Sequence, residues 1–411
     1  MRIVFICNEY PPLPHGGIGT FVHTLAHGMR DKGHQITVVG LGESDKHWVD
    51  RGVEVYILAQ SKIPRVGNIF SRLRLRRWLI NRIKKDRIEI VETPDFLGML
   101  PFGISGCPAV VRLHLSSTSI YLQRGQRIPK GIALYEELTL RMNSAWVAVS
   151  NHIYDSTCEV FGIHPKKSKV IYNPVPATEA LALATPQLPD RFILFAGQVS
   201  RRKGAIVLAE AARELMKSRA DIHLVYAGGQ ISGEDPLPVS QRILDAVGPE
   251  LSARVHFLGH VDQSLVLKCM SLASVYVFPS RLEAFGLVIL EAMTCGTPVV
   301  CTSYPPGPEI VTDGVDGLLA DPTSPSDLAE KISRILENPD LAARLTANAK
   351  RTIAERFSLE KCVAETEAFY SDCISDSRLS KRSFWGQLFS FALNGNRKMA
   401  QVVTHVGRQA S

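Results

Sequence analysis

A single stretch in the second half of the chain constrains the fold more than any other. Residues Ser274–Phe278 read SVYVF, and β-branched and aromatic residues in such a run favour a buried strand. Gly286 follows where a turn passes into a helical pattern, Gly296 ends that pattern, and Pro298 opens the next apolar run. The stretch therefore predicts a strand–turn–helix–strand unit of a parallel α/β sheet.

Two glutamates in this unit indicate a ligand site. Ligands of parallel sheets bind beyond the carboxyl ends of the strands, against helix N-termini, whose amides attract phosphate. The amides of Gly286 and Leu287 could hold a diphosphate. Glu291, about one turn further along, could accept hydrogen bonds from ribose hydroxyls, and Glu283 could contact a sugar. The alternative is one acid at the surface and another on a helix face, without a shared ligand.

The run PSRLEAFGLVILEAMTCGTPVV resembles the E-x7-E signature of retaining GT-B glycosyltransferases, in particular the group 4 family of nucleotide-sugar transferases. Ala284 stands where this family commonly has Gly, and Thr294 where it commonly has Ala. The resemblance covers roughly residues 1–373 and is strongest over 191–322. It implies transfer of a sugar from a nucleotide diphosphate sugar, with retention at the anomeric carbon, to a glycan or lipid-linked acceptor in surface polysaccharide, lipid-linked glycan or glycolipid synthesis.

The implied fold is α/β, with two Rossmann-like domains facing a cleft. Residues 1–176 form the acceptor-side domain and residues 190–357 the donor-side domain. A C-terminal helix over 358–375 crosses back to the first domain. Residues 376–411 form a basic and aromatic tail, for which an interfacial membrane helix, packing on the body and disorder all remain open.

A second anion site is predicted after the strand that ends at Gly197. The following turn contains Arg201 and Lys203 just before a helical pattern, and basic side chains at a helix N-terminus attract anions strongly. Lys203 matches the family motif G-R-x4-K-G, whereas Gln198 replaces its arginine, so Arg201 or Arg202 is expected to supply that charge. The alternative is a solvated basic turn. No D-x-D motif occurs, so the prediction is a metal-free donor site without a cofactor.

Two residues of the first half complete the predicted site. Gly17 lies in a glycine-rich loop between the first strand and a helix, and the resemblance places this loop near the donor phosphates and the acceptor. The alternative is a structural turn. His114 ends the strand Val110–His114, and the resemblance assigns it to the active site beside Glu283, although a lone histidine is more often structural.

Residues 62–87 contain ten Lys and Arg residues against Asp86 alone. Ile69, Leu73, Ile80 and Ile83 recur at helical spacing and predict the packed face of a helix. The charges then belong either to a solvated face or to a surface for an acidic acceptor or anionic lipid. Nucleic acid is not expected, because no recognised nucleic-acid module accompanies the charge. The cations of that surface would be Arg72, Arg76, Arg77, Lys84 and Lys85.

Other features limit the setting. His23 and His27 lie one helical turn apart and could hold a metal, but no third ligand is evident, so solvent exposure is expected. Eight scattered cysteines favour a reducing cytoplasm, and no apolar run reaches the length of a membrane span. The expected location is cytoplasmic, with peripheral association at the inner face of the plasma membrane as an option.

Three rival functions remain at this level. A nucleotide-sugar epimerase of similar two-domain shape would give an isomerised sugar without an acceptor product. A phosphorylase of the glycogen type would need a lysine for pyridoxal phosphate, and no segment resembles one. A non-catalytic nucleotide-sugar sensor would keep its activity when Glu283 is replaced by Ala.

Overall fold

The computed structural model describes residues 1–143, 145–175, 187–230 and 237–376. The described residues of 1–176, together with those from 359 onward, form one compact unit, and the described residues of 177–358 form another. Most of the predicted linker over 176–190 and nearly all of the tail over 376–411 lie outside the described residues. The two units are called unit 1 and unit 2.

The described part of unit 1 contains one eight-stranded sheet with the order β3-β4-β2-β1-β5-β6-β7-β8. Its central strands are buried on both faces, which explains their continuous apolar sequences. All neighbouring pairs are parallel except β3 and β4, and the antiparallel strand β3 at this edge was not predicted from the sequence. The strands are β1 Arg2–Ile6, β2 Gln35–Gly42, β3 Lys46–Asp50, β4 Val53–Ala59, β5 Ile90–Pro94, β6 Ala109–Leu113, β7 Ala145–Ala148 and β8 Lys167–Val170.

Local sequence signals set the helix ends of unit 1. Ser150 stands just before the helical pattern from Asn151, which predicts an N-cap, and its hydroxyl indeed accepts a hydrogen bond from the amide of Ile153. Gly162 ends the same helix in the left-handed conformation. The two short helices between β6 and β7 were not predicted. The helices are α1 Gly17–Asp31, α2 Gly67–Asp86, α3 Ser117–Gln123, α4 Lys130–Met142 and α5 Asn151–Phe161.

The described part of unit 2 contains a six-stranded, all-parallel sheet with the order β11-β10-β9-β12-β13-β14. The strands are β9 Phe192–Ala196, β10 His223–Ala227, β11 Val255–Gly259, β12 Val275–Phe278, β13 Val299–Thr302 and β14 Leu318–Ala320. The helices are α6 Ala205–Ser218, α7 Val239–Val247, α8 Gln263–Leu272, α9 Leu287–Thr294, α10 Gly307–Ile310, α11 Pro325–Glu337 and α12 Pro339–Arg356.

The last described helix, α13 (Leu359–Ser375), belongs to unit 1 although it follows unit 2 in the chain. Apolar side chains of α13, among them Val363 and Phe369, join the core beneath β1 and α1. A methyl group added at Gly28 of α1 would come within 2.8 Å of a methyl carbon of Val363, so this glycine permits close packing of the two helices. Among the described residues, none of the helices is both long and apolar enough to cross a bilayer.

The packed face of α2 differs from the predicted one. Leu75, Leu79 and Ile83 are buried, whereas Ile69 and Leu73 are exposed. The prediction was therefore wrong for Ile69 and Leu73, whereas Ile80 is half-buried and Ile83 is buried. The apolar residues of α2 are spaced so that either of two helix faces could pack against the sheet. The face that does so is the one that also buries small residues and hydrogen-bonded polar side chains.

Candidate functional site

The turn between β12 and α9 has the geometry expected of an anion site. Gly286 caps α9 with φ of +94°, a conformation that favours glycine. Leu287 begins the helix, so the first amides of α9 point away from the helix as they do at every N-terminus. The structure thus places Gly286 and Leu287 at the carboxyl end of a parallel strand.

Glu291 lies one turn into α9 and is buried, with 5% of its surface exposed. Burial raises the pKa of its carboxyl to about 7, although a hydrogen bond from Gln263 acts in the opposite direction. Its Oε2 atom has no hydrogen-bond partner among the described residues. A buried carboxylate oxygen without a partner is costly, so this position is suited to a ligand that donates hydrogen bonds.

Lys203 and Glu283 lie in the loops that follow the neighbouring strands β9 and β12. The Lys203 ammonium forms an ion pair with Oε1 of Glu283, and both side chains are largely buried. The Lys203 nitrogen also lies 5.4 Å from the centre of the Phe278 ring. Glu283 and Glu291 both act on the buried hydroxyl of Tyr276, whose pKa is raised first by burial and then by these two carboxylates. Lys203, Glu283 and Glu291 therefore lie in one neighbourhood of unit 2.

The loops that carry Lys203 and Glu283 touch through their backbones. Gly204 has φ of +76°, and a methyl group added there would come within 2.1 Å of the carbonyl oxygen of Pro279. The amide of Arg281 donates to the carbonyl of Arg202 at 3.1 Å. Arg201 stands exposed beside this contact. Glycine at 204 is thus required for the two loops to hold the ion pair together.

His114 lies directly after β6 in unit 1 and is buried. Burial, helped by the charge of Arg112, lowers its pKa to about 3, so its imidazole is neutral. Its ring packs against Phe21 with centroids 5.0 Å apart, and its amide donates to Oδ1 of Asp95 at 2.9 Å. Burial raises the pKa of Asp95 to about 7, and Oδ2 of Asp95 has no partner among the described residues.

Glu136 was missed at the sequence level. Its Oε1 accepts hydrogen bonds from the amides of Leu97 at 2.9 Å and Ser117 at 2.7 Å, and Oε2 accepts from Thr118 at 2.9 Å. This buried carboxylate of α4 joins the loops that follow β5 and β6 and so holds the surroundings of His114. Its role depends on contacts between distant segments, and no local pattern marks it.

Gly17 is exposed at the start of α1, and an added methyl group would meet no atom within 4 Å. The loop is shaped instead by Gly19, where such a methyl would come within 2.1 Å of the Glu9 carbonyl oxygen. The Glu9 side chain accepts the amide hydrogen of Gly19 at 2.9 Å. The loop therefore leaves no room for a side chain at Gly19, whereas Gly17 has open space beside it.

The predicted cationic surface on α2 needs correction. Arg72 is buried, donates through Nε to the Gly98 carbonyl at 2.8 Å and stacks on Tyr135, so it is not a surface cation. Arg76 is half-buried and donates to the Gly103 carbonyl at 2.9 Å. Arg77, Lys84 and Lys85 are exposed as predicted.

The exposed side of this segment also carries large apolar groups. Phe70 is 48% exposed and Leu73 42%, and Arg77 follows them on the same side of the helix. These residues define the α2 outer face, whose apolar members are Ile63, Val66, Ile69, Phe70 and Leu73 and whose cationic members are Arg77, Lys84 and Lys85.

Comparison with known proteins places this geometry in a family. Residues 174–352 match the family model of glycosyl transferases group 1, and residues 15–179 match that of glycosyltransferase family 4. An uncharacterized glycosyltransferase of Methanocaldococcus jannaschii is 28% identical over 393 residues, which cover 90% of this chain and 98% of the relative.

Solved structures agree on the fold. Sucrose-phosphate synthase from Thermosynechococcus elongatus superposes with a TM-score of 0.71 at 20% identity, over 92% of this chain and 100% of that one. An Anabaena protein in complex with UDP and glucose gives 0.68 at 19% identity, over 90% and 100%. The predicted fold class of two Rossmann-like α/β domains is confirmed. Because the two family models together span residues 15–352, the chain belongs to the GT-B glycosyltransferases of groups 1 and 4 and is a glycosyltransferase enzyme.

Proposed function

We propose that this enzyme takes its sugar from a nucleotide diphosphate sugar, with Glu291 binding the ribose. The observation that carries the proposal is the buried Glu291 carboxyl, whose Oε2 lacks a partner among the described residues. Two adjacent ribose hydroxyls would donate to both of its oxygens. The proposal is supported by the structurally similar Anabaena protein, which was determined with UDP and glucose and with UDP-glucose.

The diphosphate would bind without a metal ion. Lys203, the exposed Arg201 and the first amides of α9 supply positive charge and hydrogen-bond donors in unit 2. Before the donor binds, Glu283 neutralises Lys203. The diphosphate would compete for Lys203 and free the Glu283 carboxylate to accept hydrogen bonds from the donor sugar.

Transfer would proceed with retention. The bond between the anomeric carbon and the diphosphate oxygen breaks, and the acceptor hydroxyl oxygen bonds to that carbon on the same face. The acceptor proton passes to the departing phosphate, which leaves as the nucleoside diphosphate. His114 stays a predicted site residue, and its neutral imidazole suits hydrogen bonding to a sugar hydroxyl rather than charge stabilisation.

The acceptor is proposed to be lipid-linked and reached at an anionic membrane surface. The α2 outer face combines exposed apolar side chains with Arg77, Lys84 and Lys85. Apolar side chains that enter the headgroup region and cations that meet anionic lipids reinforce each other at such surfaces. This arrangement explains why large apolar groups of α2 are left uncovered within the described structure.

A donor screen tests the proposal. UDP-, GDP- and ADP-sugars are compared by thermal shift, and the stabilising donor is then assayed for transfer to lipid-linked and glycan acceptors. We expect sugars of one nucleotide class to stabilise the protein. Replacement of Glu291 by Gln should weaken binding of that donor, whereas Glu210→Gln, an exposed control, should leave its binding unchanged. An isomerised sugar without an acceptor product would identify an epimerase instead.

Two further measurements address the finer claims. Nuclear magnetic resonance of the product gives the anomeric configuration, and an inverted centre would refute retention. The initial transfer rate is expected to be unchanged by chelators, and a loss restored by Mg²⁺ would refute metal-free binding of the diphosphate.

Membrane binding is tested by sedimentation with vesicles of anionic or neutral lipids. Phe70→Ser and Arg77→Glu should each weaken binding to anionic vesicles, and added salt should weaken it further. The control is Leu134→Ser, which removes another exposed leucine of unit 1. Equal binding to neutral vesicles, or no effect of either variant, would argue against the α2 outer face as the membrane surface.

A further inference from the structure

Three side chains of unit 1 meet at a place that none of the donor-site residues occupies. His23 and His27 are one turn apart on α1, and Asp50 is the last residue of β3. The Nε2 atom of His23 lies 3.3 Å from Oδ2 of Asp50, and that of His27 lies 3.0 Å from the same oxygen. The two Nε2 atoms are 3.2 Å apart. No third ligand was expected from the sequence, because β3 was not predicted.

The spacing of these atoms matches a metal site. Zn²⁺ binds imidazole nitrogen and carboxylate oxygen at about 2.0–2.2 Å, so two ligands of a tetrahedral site lie about 3.3 Å apart. All three distances in the cluster fall close to this edge length. Two histidines at i and i+4 on one helix face are a frequent zinc-binding arrangement. The three residues are half-buried, which leaves a path for an ion to enter.

Hydrogen bonding alone explains the cluster poorly. The hydroxyl of Tyr10 donates to Oδ2 of Asp50 at 2.9 Å, so this oxygen already has one donor. If both imidazoles also donated to it, the oxygen would accept three hydrogen bonds and two N–H groups would face each other across 3.2 Å. A dication at the centre would replace this crowding with three metal–ligand bonds.

We propose that His23, His27 and Asp50 bind a Zn²⁺-type dication that ties α1 to β3, with the Tyr10 hydroxyl orienting the carboxylate through its hydrogen bond to Oδ2. Water would take the fourth position on the open side of His23.

One neighbour opposes metal binding. The Arg30 guanidinium lies 3.1 Å from Nδ1 of His27 and can only donate to it. In this arrangement Nδ1 carries the lone pair, and Nε2 of His27 bears the proton. Metal binding at Nε2 therefore requires Arg30 to leave Nδ1. Replacement of Arg30 by Gln removes both the competing donor and a positive charge, so it should tighten metal binding.

Cobalt substitution tests the site in the full-length protein. The chelator-treated protein is titrated with Co²⁺, whose visible absorption is strong in tetrahedral and weak in octahedral coordination, and Zn²⁺ is then used to displace it. We expect a strong band that saturates at a single equivalent and disappears in His23→Asn and Asp50→Asn. The matched control is His47→Asn, because His47 pairs with Glu54 in the same sheet and the described part of the chain offers no third ligand there.

Two variants probe the surroundings of the ion. Tyr10→Phe should weaken Zn²⁺ binding about 10-fold to 100-fold, as loss of an orienting hydrogen bond does at other zinc sites. Arg30→Gln should strengthen it. Zn²⁺ should also raise the melting temperature of the unchanged protein but not of His23→Asn, whose half-exposed side chain can be replaced without loss of the fold. A weak band with the unchanged protein, or a strong band kept by both His23→Asn and Asp50→Asn, would overturn the proposal.

Discussion

Replacement of Glu291 by Gln should stabilise the protein while it impairs donor binding. Glutamine has nearly the same shape but no charge, so it removes the cost of an ionised carboxyl at a buried position. In the folded protein the pKa of Glu291 is raised from 4.5 to about 7. The folded state therefore binds a proton more tightly than the unfolded state, and the stability of the protein falls as the pH rises between these two values.

The size of the change in stability follows from the rise in the pKa of Glu291. A rise of about 2.5 pKa units at about 1.36 kcal/mol per unit amounts to about 3 kcal/mol, present in full above pH 7. At pH 5 the cost is below about 1 kcal/mol, because the folded carboxyl is then almost fully protonated. For a unit of this size, 3 kcal/mol corresponds to about 6–12 °C in melting temperature.

The assay is differential scanning calorimetry of the unchanged protein and of Glu291→Gln between pH 5 and pH 8. We expect the transition of unit 2 to rise by several degrees at pH 8 and by much less at pH 5. Glu210→Gln, an exposed change on α6, should leave both transitions unmoved. An equal gain at both pH values, or a lower melting temperature at pH 8, would show that Glu291 is not an uncompensated buried charge.

Three further predictions concern the same sites. The donor KM should fall between pH 6 and pH 8 as Glu291 ionises, and steady-state kinetics of Glu291→Gln should show no such trend. Glu283→Gln should tighten binding of the free nucleoside diphosphate about tenfold while it slows transfer, because Lys203 loses its competing partner; calorimetric titration showing weaker binding would contradict this. Glu136→Ala should lower the free energy of unfolding by at least about 3 kcal/mol, since three backbone amides lose their acceptor. Glu137→Ala, which loses one ion pair with Arg141, should lower it by about 1 kcal/mol or less. Similar melting temperatures of the two variants would refute the difference.

The sequence was most informative where a structural feature depends only on residues that are close together in the chain. The turn at Gly286, the cap at Ser150 and the buried strands follow from local propensity and periodicity, and the structure confirms them. The pairing of Lys203 with Glu283 was not foreseen, although both residues were predicted for the donor site. They are 80 positions apart and meet because two parallel strands are neighbours in the sheet.

The failures have a common physical cause. The helical pattern of α2 contains apolar residues on two sides, and only the position of the sheet decides that Leu75 and Leu79 are buried while Phe70 is not. Arg72 looks like a surface cation in the sequence, but its aliphatic stem is buried and its guanidinium is satisfied by backbone carbonyls. The third ligand of the histidine pair comes from an edge strand too polar to be recognised by its pattern.

The return of α13 to unit 1 has a consequence for synthesis on the ribosome. The hydroxyl of Tyr370 donates to Glu92, which is itself doubly hydrogen-bonded to Arg112. Tyr370 is translated long after Glu92 and Arg112, so the network around this ion pair is completed late in synthesis. During translation, unit 1 lacks α13 until all of unit 2 has been made. Its apolar groove and its charged pair stay uncovered for that time. A stop codon before Leu359 would release a chain that can finish its second domain but never its first.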